Sequence, residues 1–151
     1  MGATITHKQR CGMNMIRFKM FRISTGQFAI LSTEAPQGDV EISTSMELRH
    51  ANDGSAVMVH ATFTFSEKEK QVMILGTTCE FSIHPEDLQT LTKDGKVVIP
   101  KGTIDYFIAQ TVGTARGILH CKTEGTPFNG IIIPPMNVTN MFKDDMVINI
   151  K

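Results

Sequence analysis

An apolar run that ends in a proline pair constrains this chain more than any other feature. Residues 131–133 are all isoleucine, and Pro134 and Pro135 follow them directly. A proline cannot continue a helix, and it has no N–H to donate in the middle of a sheet. Loops normally cross the surface and are polar. We therefore expect this apolar connection to lie over a core or to line a groove.

Strand patterns fill much of the first half of the chain. They cover residues 16–31, 40–49, 57–65 and 71–83. Apolar residues recur in them at nearly every second position. The apolar positions of the first segment change parity between Met20 and Phe21, which predicts a bulge in a long strand. The Asn-Asp-Gly sequence at 52–54 accepts positive φ and predicts a hairpin between the second and third strands.

Two helices are predicted after the strands. His84 and Pro85, followed by two acidic residues, are a good start for a short helix that we expect to end at the Asp-Gly pair at 94–95. A longer helix is predicted from about Pro100 to Leu119, because its apolar residues are mostly three or four positions apart.

The C-terminal part of the chain gives weaker signals. Asn137 is in the right place to cap a third, short helix through Phe142. The apolar residues 146–150 fit a strand or a tail equally well. We expect one domain over residues 1–151, with 1–12 and 144–151 poorly ordered or peripheral. Strands followed by helices predict an α+β fold, a four-stranded antiparallel sheet with helices on one face.

The two faces of such a sheet predict self-association. The helices can cover only one face well, yet the first, third and fourth strands carry apolar or near-neutral residues on both faces. We therefore expect the uncovered face to pair with another copy in a homo-oligomer, a dimer or a tetramer.

Charge and cysteine content restrict the partners and the compartment. The 15 basic and 15 acidic residues cancel, so bulk charge favours neither nucleic acid nor an anionic membrane surface. No apolar run approaches the roughly 20 residues of a membrane span, and we expect neither a signal peptide nor membrane insertion. The three cysteines are an odd number without C-x-x-C spacing, which indicates a reducing, cytoplasmic environment.

No sequence motif predicts catalysis. The chain lacks the common nucleophile, zinc-protease and phosphate-loop motifs, and we predict no catalytic residue, no metal and no cofactor. Cys121 directly follows His120, and adjacent helical residues point about 100° apart, which is a poor arrangement for a nucleophile and its base. An alternative remains open: a small-ligand-binding protein or enzyme on a hotdog-like scaffold, with His60 or His84 as the acid–base group.

The apolar connection contains the candidate binding residues. Methionine is flexible and polarizable, and surfaces that bind many partners overuse it. Two of the ten methionines border the connection, and three large apolar side chains lie in the same stretch. The predicted groove residues are Phe128, Ile132, Met136, Met141 and Phe142.

Several short motifs resemble the protein-export chaperone SecB family. They are Arg116, Gly-Thr-Pro-Phe at 125–128, Ile-Pro-Pro-Met-Asn at 133–137, Glu-Ala-Pro at 34–36 and Phe-Ser-Ile at 81–83. The resemblance implies a dimer or dimer of dimers with long helices between two sheets. It also implies a chaperone that binds unfolded or non-native polypeptides through an apolar groove, for protein export or, as in SecB-like chaperones of toxin–antitoxin systems, for one dedicated client.

The resemblance also implies a contact with the translocase motor SecA. Glu34 occupies the acidic position of the Glu-Ala-Pro motif and is the candidate contact residue. Ile30 and Ile74 stand where the family carries two further acidic residues. SecA binding therefore stays open at the level of sequence.

Overall fold

The computed structural model describes residues 16–150, and in it the chain forms two antiparallel sheets and two helices. The elements are β1 (Phe18–Ile30), β2 (Glu41–His50), β3 (Ala56–Glu67), β4 (Lys70–Ile83), α1 (Pro85–Leu91), β5 (Thr92–Lys93), β6 (Lys96–Ile99), α2 (Lys101–Thr123) and β7 (Met146–Asn149). The larger sheet has the order β1-β4-β3-β2, and the smaller one has the order β5-β6-β7. The predicted α+β class and the four-stranded antiparallel sheet are confirmed. Residues 1–12, expected to be peripheral, lie outside the described part.

The predicted bulge is present in β1. Its pairing with β4 shifts register between Met20 and Arg22 and again between Thr25 and Gln27. Met20 faces Phe81 and Ile23 faces Cys79, so both side chains stay on the side of the sheet where α2 lies. The extra residue, Phe21, is 46% exposed.

The predicted hairpin between β2 and β3 depends on Gly54. Its φ is +74°, a region that favours glycine. A Cβ at this position would also lie 2.9 Å from a methyl carbon of Val97 in β6. Gly54 therefore allows the turn to form and lets it pack directly against the smaller sheet.

The core lies between α2 and the middle of the larger sheet. Alternate residues of β3 and β4 are buried, and they meet the buried residues of α2. The aromatic centre is a stack of Phe81 and Phe107 with ring centroids 4.3 Å apart, and Phe18 meets Phe107 edge-on at 4.7 Å. The opposite face of this sheet, which the sequence predicted to pair with another copy, is mostly polar, with Met58 and Ile74 among its few apolar residues. It carries Ser43, Ser45, His60, Thr62, Thr64 and Thr78 and an Arg22–Glu80 ion pair.

The smaller sheet was not predicted. The short helix α1 ends at Leu91, before the predicted end, because Asp94 and Gly95 form the turn of the β5–β6 hairpin with φ values of +52° and +74°. The C-terminal segment that fitted a strand or a tail forms β7 and pairs with β6. Within it Ile148 is only 1% exposed. The segment 144–151, expected to be peripheral, thus contains a strand that closes the smaller sheet.

The third helix predicted from Asn137 is absent, since residues 137–142 contain only turns and bends. The Asn137 side-chain oxygen accepts hydrogen bonds from the backbone N–H of Thr139 at 3.1 Å and from its hydroxyl at 2.6 Å. In this Asx turn the asparagine oxygen already accepts a backbone N–H, as it would have done as a helix cap. The two β-branched residues after Asn137 further disfavour a helix.

Ion pairs and hydrogen bonds connect helix α1 to Arg17, the residue just before β1. The Arg17 guanidinium donates to both carboxylate oxygens of Asp87, at 3.1 and 2.9 Å, and to Glu86 at 3.0 Å. The backbone N–H of Arg17 donates to Asp87 at 2.6 Å. These hydrogen bonds hold the pKa of Asp87 at about 2, below its usual value of 3.8.

We expect Asp87→Asn to make the protein less stable at neutral pH and to weaken its sensitivity to acid. Because the folded-state pKa of Asp87 lies below the unfolded value, its contribution is present above the unfolded value and is lost as the pH falls towards 2. The difference between the urea midpoints of wild type and variant should therefore shrink as the pH falls below about 4. The control is Asp39→Asn, a loop carboxylate without a hydrogen bond among the described residues. A constant difference for Asp87→Asn across this range would refute the assignment.

Within the described residues, no helix combines the length and the apolar character that crossing a membrane requires.

Candidate functional site

After α2 the chain turns and runs back along the helix. We call residues 126–145 the return segment. The turn uses Gly125 with φ +74°. Near its start, the side-chain amide of Asn129 donates to the carbonyl of His120 at 3.0 Å. At its end, the Asp145 carboxylate accepts the backbone N–H of Lys101 at 2.8 Å and caps α2, whose Pro100 supplies no side-chain cap. The return segment therefore spans the length of a 23-residue helix, about 34 Å.

Arg116 contacts the middle of the return segment. Its Nε donates to the carbonyl of Ile133 at 2.6 Å and its Nη2 donates to the carbonyl of Pro134 at 3.1 Å. The apolar run predicted to cover a core or to line a groove does both. Ile133 is fully buried, whereas its neighbour Ile132 is 62% exposed.

The exposed side of this run forms one wall of a groove. The groove has a volume of about 370 Å³ and is open to solvent. Four residues of the return segment, Pro127, Gly130, Ile131 and Ile132, line one side. Four residues at the start of β2 and in the loop before it, Pro36, Gly38, Val40 and Ile42, line the other. We call this site the β2 groove. Since β2 is the last strand of its sheet, its outer backbone edge pairs with no other strand of residues 16–150.

The five predicted groove residues are spread along the return segment. Ile132 lines the β2 groove. Phe128 is only 3% exposed and belongs to the core rather than to the lining of the groove. Met136, Met141 and Phe142 lie farther along, half-buried and packed against the core. The structure thus places a strip of apolar side chains beside α2 and brings one of the five into the β2 groove.

Sequence reasoning missed the β2 wall of the groove. Val40 and Ile42 fall in the strand pattern predicted over residues 40–49. The local pattern does not contain the information that this strand is at the edge of the sheet, next to residues about 90 positions later. The signal that could have found them is the Pro-Gln-Gly sequence at 36–38, which lies in the loop where the chain crosses from the end of β1 to the far edge.

A second apolar surface lies at the opposite edge of the sheet. On β1, Ile23 is 53% exposed although it faces the same side as α2. Beside it, Thr25 and the small residues Gly113, Gly117 and Cys121 of α2 line an open groove of about 480 Å³. We call this site the β1–α2 face. Helix α2 covers β3 and β4, so this part of β1 extends beyond the helix.

The polar candidates have partners in the fold. Each ring nitrogen of His60 lies near a threonine hydroxyl, Thr78 at 2.7 Å and Thr62 at 3.2 Å. His84 caps α1 by accepting the backbone N–H of Glu86 at 3.3 Å. Glu34 lies exposed in the loop after β1. Over residues 16–150, no three metal-ligating side chains are grouped closely enough to hold a metal ion.

The two described cysteines differ in environment. Cys79 is buried in β4, and this burial raises the pKa of its thiol. Cys121 is exposed on the β1–α2 face. The third, Cys11, lies outside the described residues.

Comparison with solved structures finds a similar chain path in a bacterial chaperone. It is a SecB-like chaperone of Mycobacterium tuberculosis in complex with a ChAD peptide from the HigA1 antitoxin, with a TM-score of 0.49 and 13% sequence identity. The match covers 80% of this chain and 91% of that chain. A likeness at this level concerns the path of the chain and does not make this chain a member of that family. No protein-family model and no curated protein matches the sequence.

Proposed function

We propose that this chain is a SecB-like molecular chaperone that binds unfolded or non-native polypeptides in the cytoplasm, without catalysing a reaction. The observation that carries the proposal is the β2 groove, an open channel lined by apolar residues and their backbone, beside a strand edge that pairs with no other strand of residues 16–150 and with Ile132 62% exposed in its wall. An exposed apolar surface of this kind on a protein is commonly a binding site.

The β2 groove suits an extended chain of variable sequence. A client segment can add to the edge of β2 through backbone hydrogen bonds, which any sequence can form. Alternate client side chains then point towards Val40, Ile42 and Ile132. Affinity comes from apolar burial, at about 25 cal/mol per Å² before the cost of ordering the client is subtracted.

Self-association would give one particle several grooves. We propose that the β1–α2 face, rather than the polar face of the larger sheet, receives a second copy of the chain, because Ile23 is exposed there beside an edge of β1 that pairs with no other strand of residues 16–150. The glycines at 113 and 117 leave room for close approach of another helix. Several weak grooves on one oligomer bind a long client with much higher avidity than one groove alone.

Ile23→Lys is expected to disrupt the oligomer, since the charge would have to be buried at the interface. Light scattering during size-exclusion chromatography should give a dimer or tetramer for the wild type and a smaller species for the variant. The control is Val147→Lys on β7, where the side chain is 52% exposed in the wild type. A monomeric wild type, or an Ile23→Lys protein of unchanged mass, would contradict this interface.

Export and a dedicated antitoxin-like partner are two branches of the same proposal. A general export chaperone binds many unfolded clients weakly, whereas a dedicated one binds a single client tightly. Contact of Glu34 with the translocase motor belongs to the export branch alone. Titration of SecA against wild type and a Glu34→Lys variant separates the two branches.

The proposed function is tested by aggregation of a chemically unfolded client on dilution. The wild type at a near-stoichiometric ratio of oligomer to client should suppress light scattering without added nucleotide. An equal mass of a folded control protein should not. Unchanged scattering with a correctly assembled oligomer would count against the proposal.

A further inference from the structure

We infer that Arg116 is the positioning residue of the β2 groove. Its two hydrogen bonds to the return segment hold Ile132 in the groove wall and Ile133 in the core. The effect on clients rests on the proposed function, whereas the effect on the conformation of the segment does not.

The return segment has little means to organise itself at this point. Pro134 and Pro135 have no backbone N–H, so neither a helix nor a strand ladder can form across them. Ile133 and Pro134 each precede a proline, which restricts both to an extended conformation. Their carbonyls still need donors where the chain packs against the protein.

Arg116 supplies these donors from α2. A guanidinium presents N–H groups in a rigid planar fork, so it can bind two acceptors in a fixed relative position. Here the acceptors are the consecutive carbonyls of Ile133 and Pro134, at 2.6 and 3.1 Å. None of the ion pairs formed by residues 16–150 includes Arg116, so its observed bonds are to the return segment rather than to a carboxylate.

The fork fixes which isoleucine faces solvent. Successive side chains of an extended chain point to opposite sides. With the carbonyl of Ile133 held against α2, its side chain is fully buried and the preceding Ile132 is 62% exposed. A rotation of the segment would exchange the two and remove the apolar wall of the groove.

The test replaces Arg116 with glutamine and with lysine. In Arg116→Gln, hydrogen exchange of the backbone amides at 129–133 and 136–138 should accelerate selectively, with the sheet and α2 unchanged. Affinity for a permanently unfolded client peptide should fall about tenfold, equivalent to about 1.4 kcal/mol. Arg116→Lys should be intermediate, because lysine keeps the charge and loses the fork.

The control is Lys93→Gln on β5, an exposed residue outside both grooves and without a side-chain hydrogen bond in the described part of the chain. It loses the same charge and should leave both exchange and affinity at wild-type values. Wild-type exchange in Arg116→Gln would overturn the inference while the proposed function stands. If the wild type bound no client, the proposed function would fail, and the exchange experiment would decide the positioning role by itself.

Discussion

Phe107→Ala is expected to lower the free energy of unfolding by about 3–5 kcal/mol, the usual cost of deleting a buried aromatic side chain. Phe107 is fully buried, and its ring stacks on that of Phe81 with an interplanar angle of 11°. The ring of Phe18 packs against it edge-on at 4.7 Å. Its removal would leave a cavity where α2, β1 and β4 meet, because the remaining rings of Phe18 and Phe81 are each held by their own strand and cannot both move in to fill it.

Urea unfolding followed by circular dichroism measures this loss. The matched control is Tyr106→Ala, the preceding residue of the same helix. Tyr106 also contacts Phe18, at 5.3 Å, but it is 46% exposed. This variant should lose less than about half as much stability, because less area returns to water. Equal losses for the two variants would mean that the aromatic stack is not the centre of the core.

Ile132→Asp is expected to weaken client binding by about tenfold or more while leaving stability nearly unchanged. Burial of one isoleucine side chain contributes about 1.5–3 kcal/mol, which corresponds to more than a tenfold change in affinity. The side chain is 62% exposed in the free protein, so its replacement costs the fold little. Fluorescence anisotropy of a labelled unfolded peptide, together with urea unfolding of the variant, measures both effects.

Val147→Asp serves as the control for Ile132→Asp. Val147 is 52% exposed and lies on β7, in the smaller sheet, outside the β2 groove. The same apolar-to-acidic change there should leave the affinity for the peptide at the wild-type value. Equal weakening by both variants would point to a nonspecific charge effect, and no weakening by Ile132→Asp would remove Ile132 from the binding surface.

Local signals were sufficient for much of the larger sheet. Alternation predicted its four strands, the parity change at Phe21 predicted the bulge, and the Asn-Asp-Gly turn predicted the β2–β3 hairpin. The starts of both helices were also correct, since Pro85 is the first residue of α1 and α2 begins at Lys101. In each case the signal lies in residues that are neighbours in the sequence.

Long-range pairing explains most of what was missed. Strand β6 pairs with β7 nearly 50 residues later, and each has only four residues, too few for a clear alternation. The Asn137 turn was mistaken for a helix cap because both use an asparagine side chain to accept a backbone N–H. The β2 groove joins residues 36–42 to residues 127–132, about 90 positions later, so strand order had to be known first.

The most direct test compares the binding of one client protein in two states, native and unfolded. A labelled client is prepared in its native form and in a permanently unfolded form with reduced and blocked cysteines, and each form is titrated with this protein. We expect saturable binding of the unfolded form and no binding of the native form. An apolar extended peptide should compete with the unfolded form, and Ile132→Asp should weaken its binding. Equal binding of both forms, or binding of neither, would contradict this expectation.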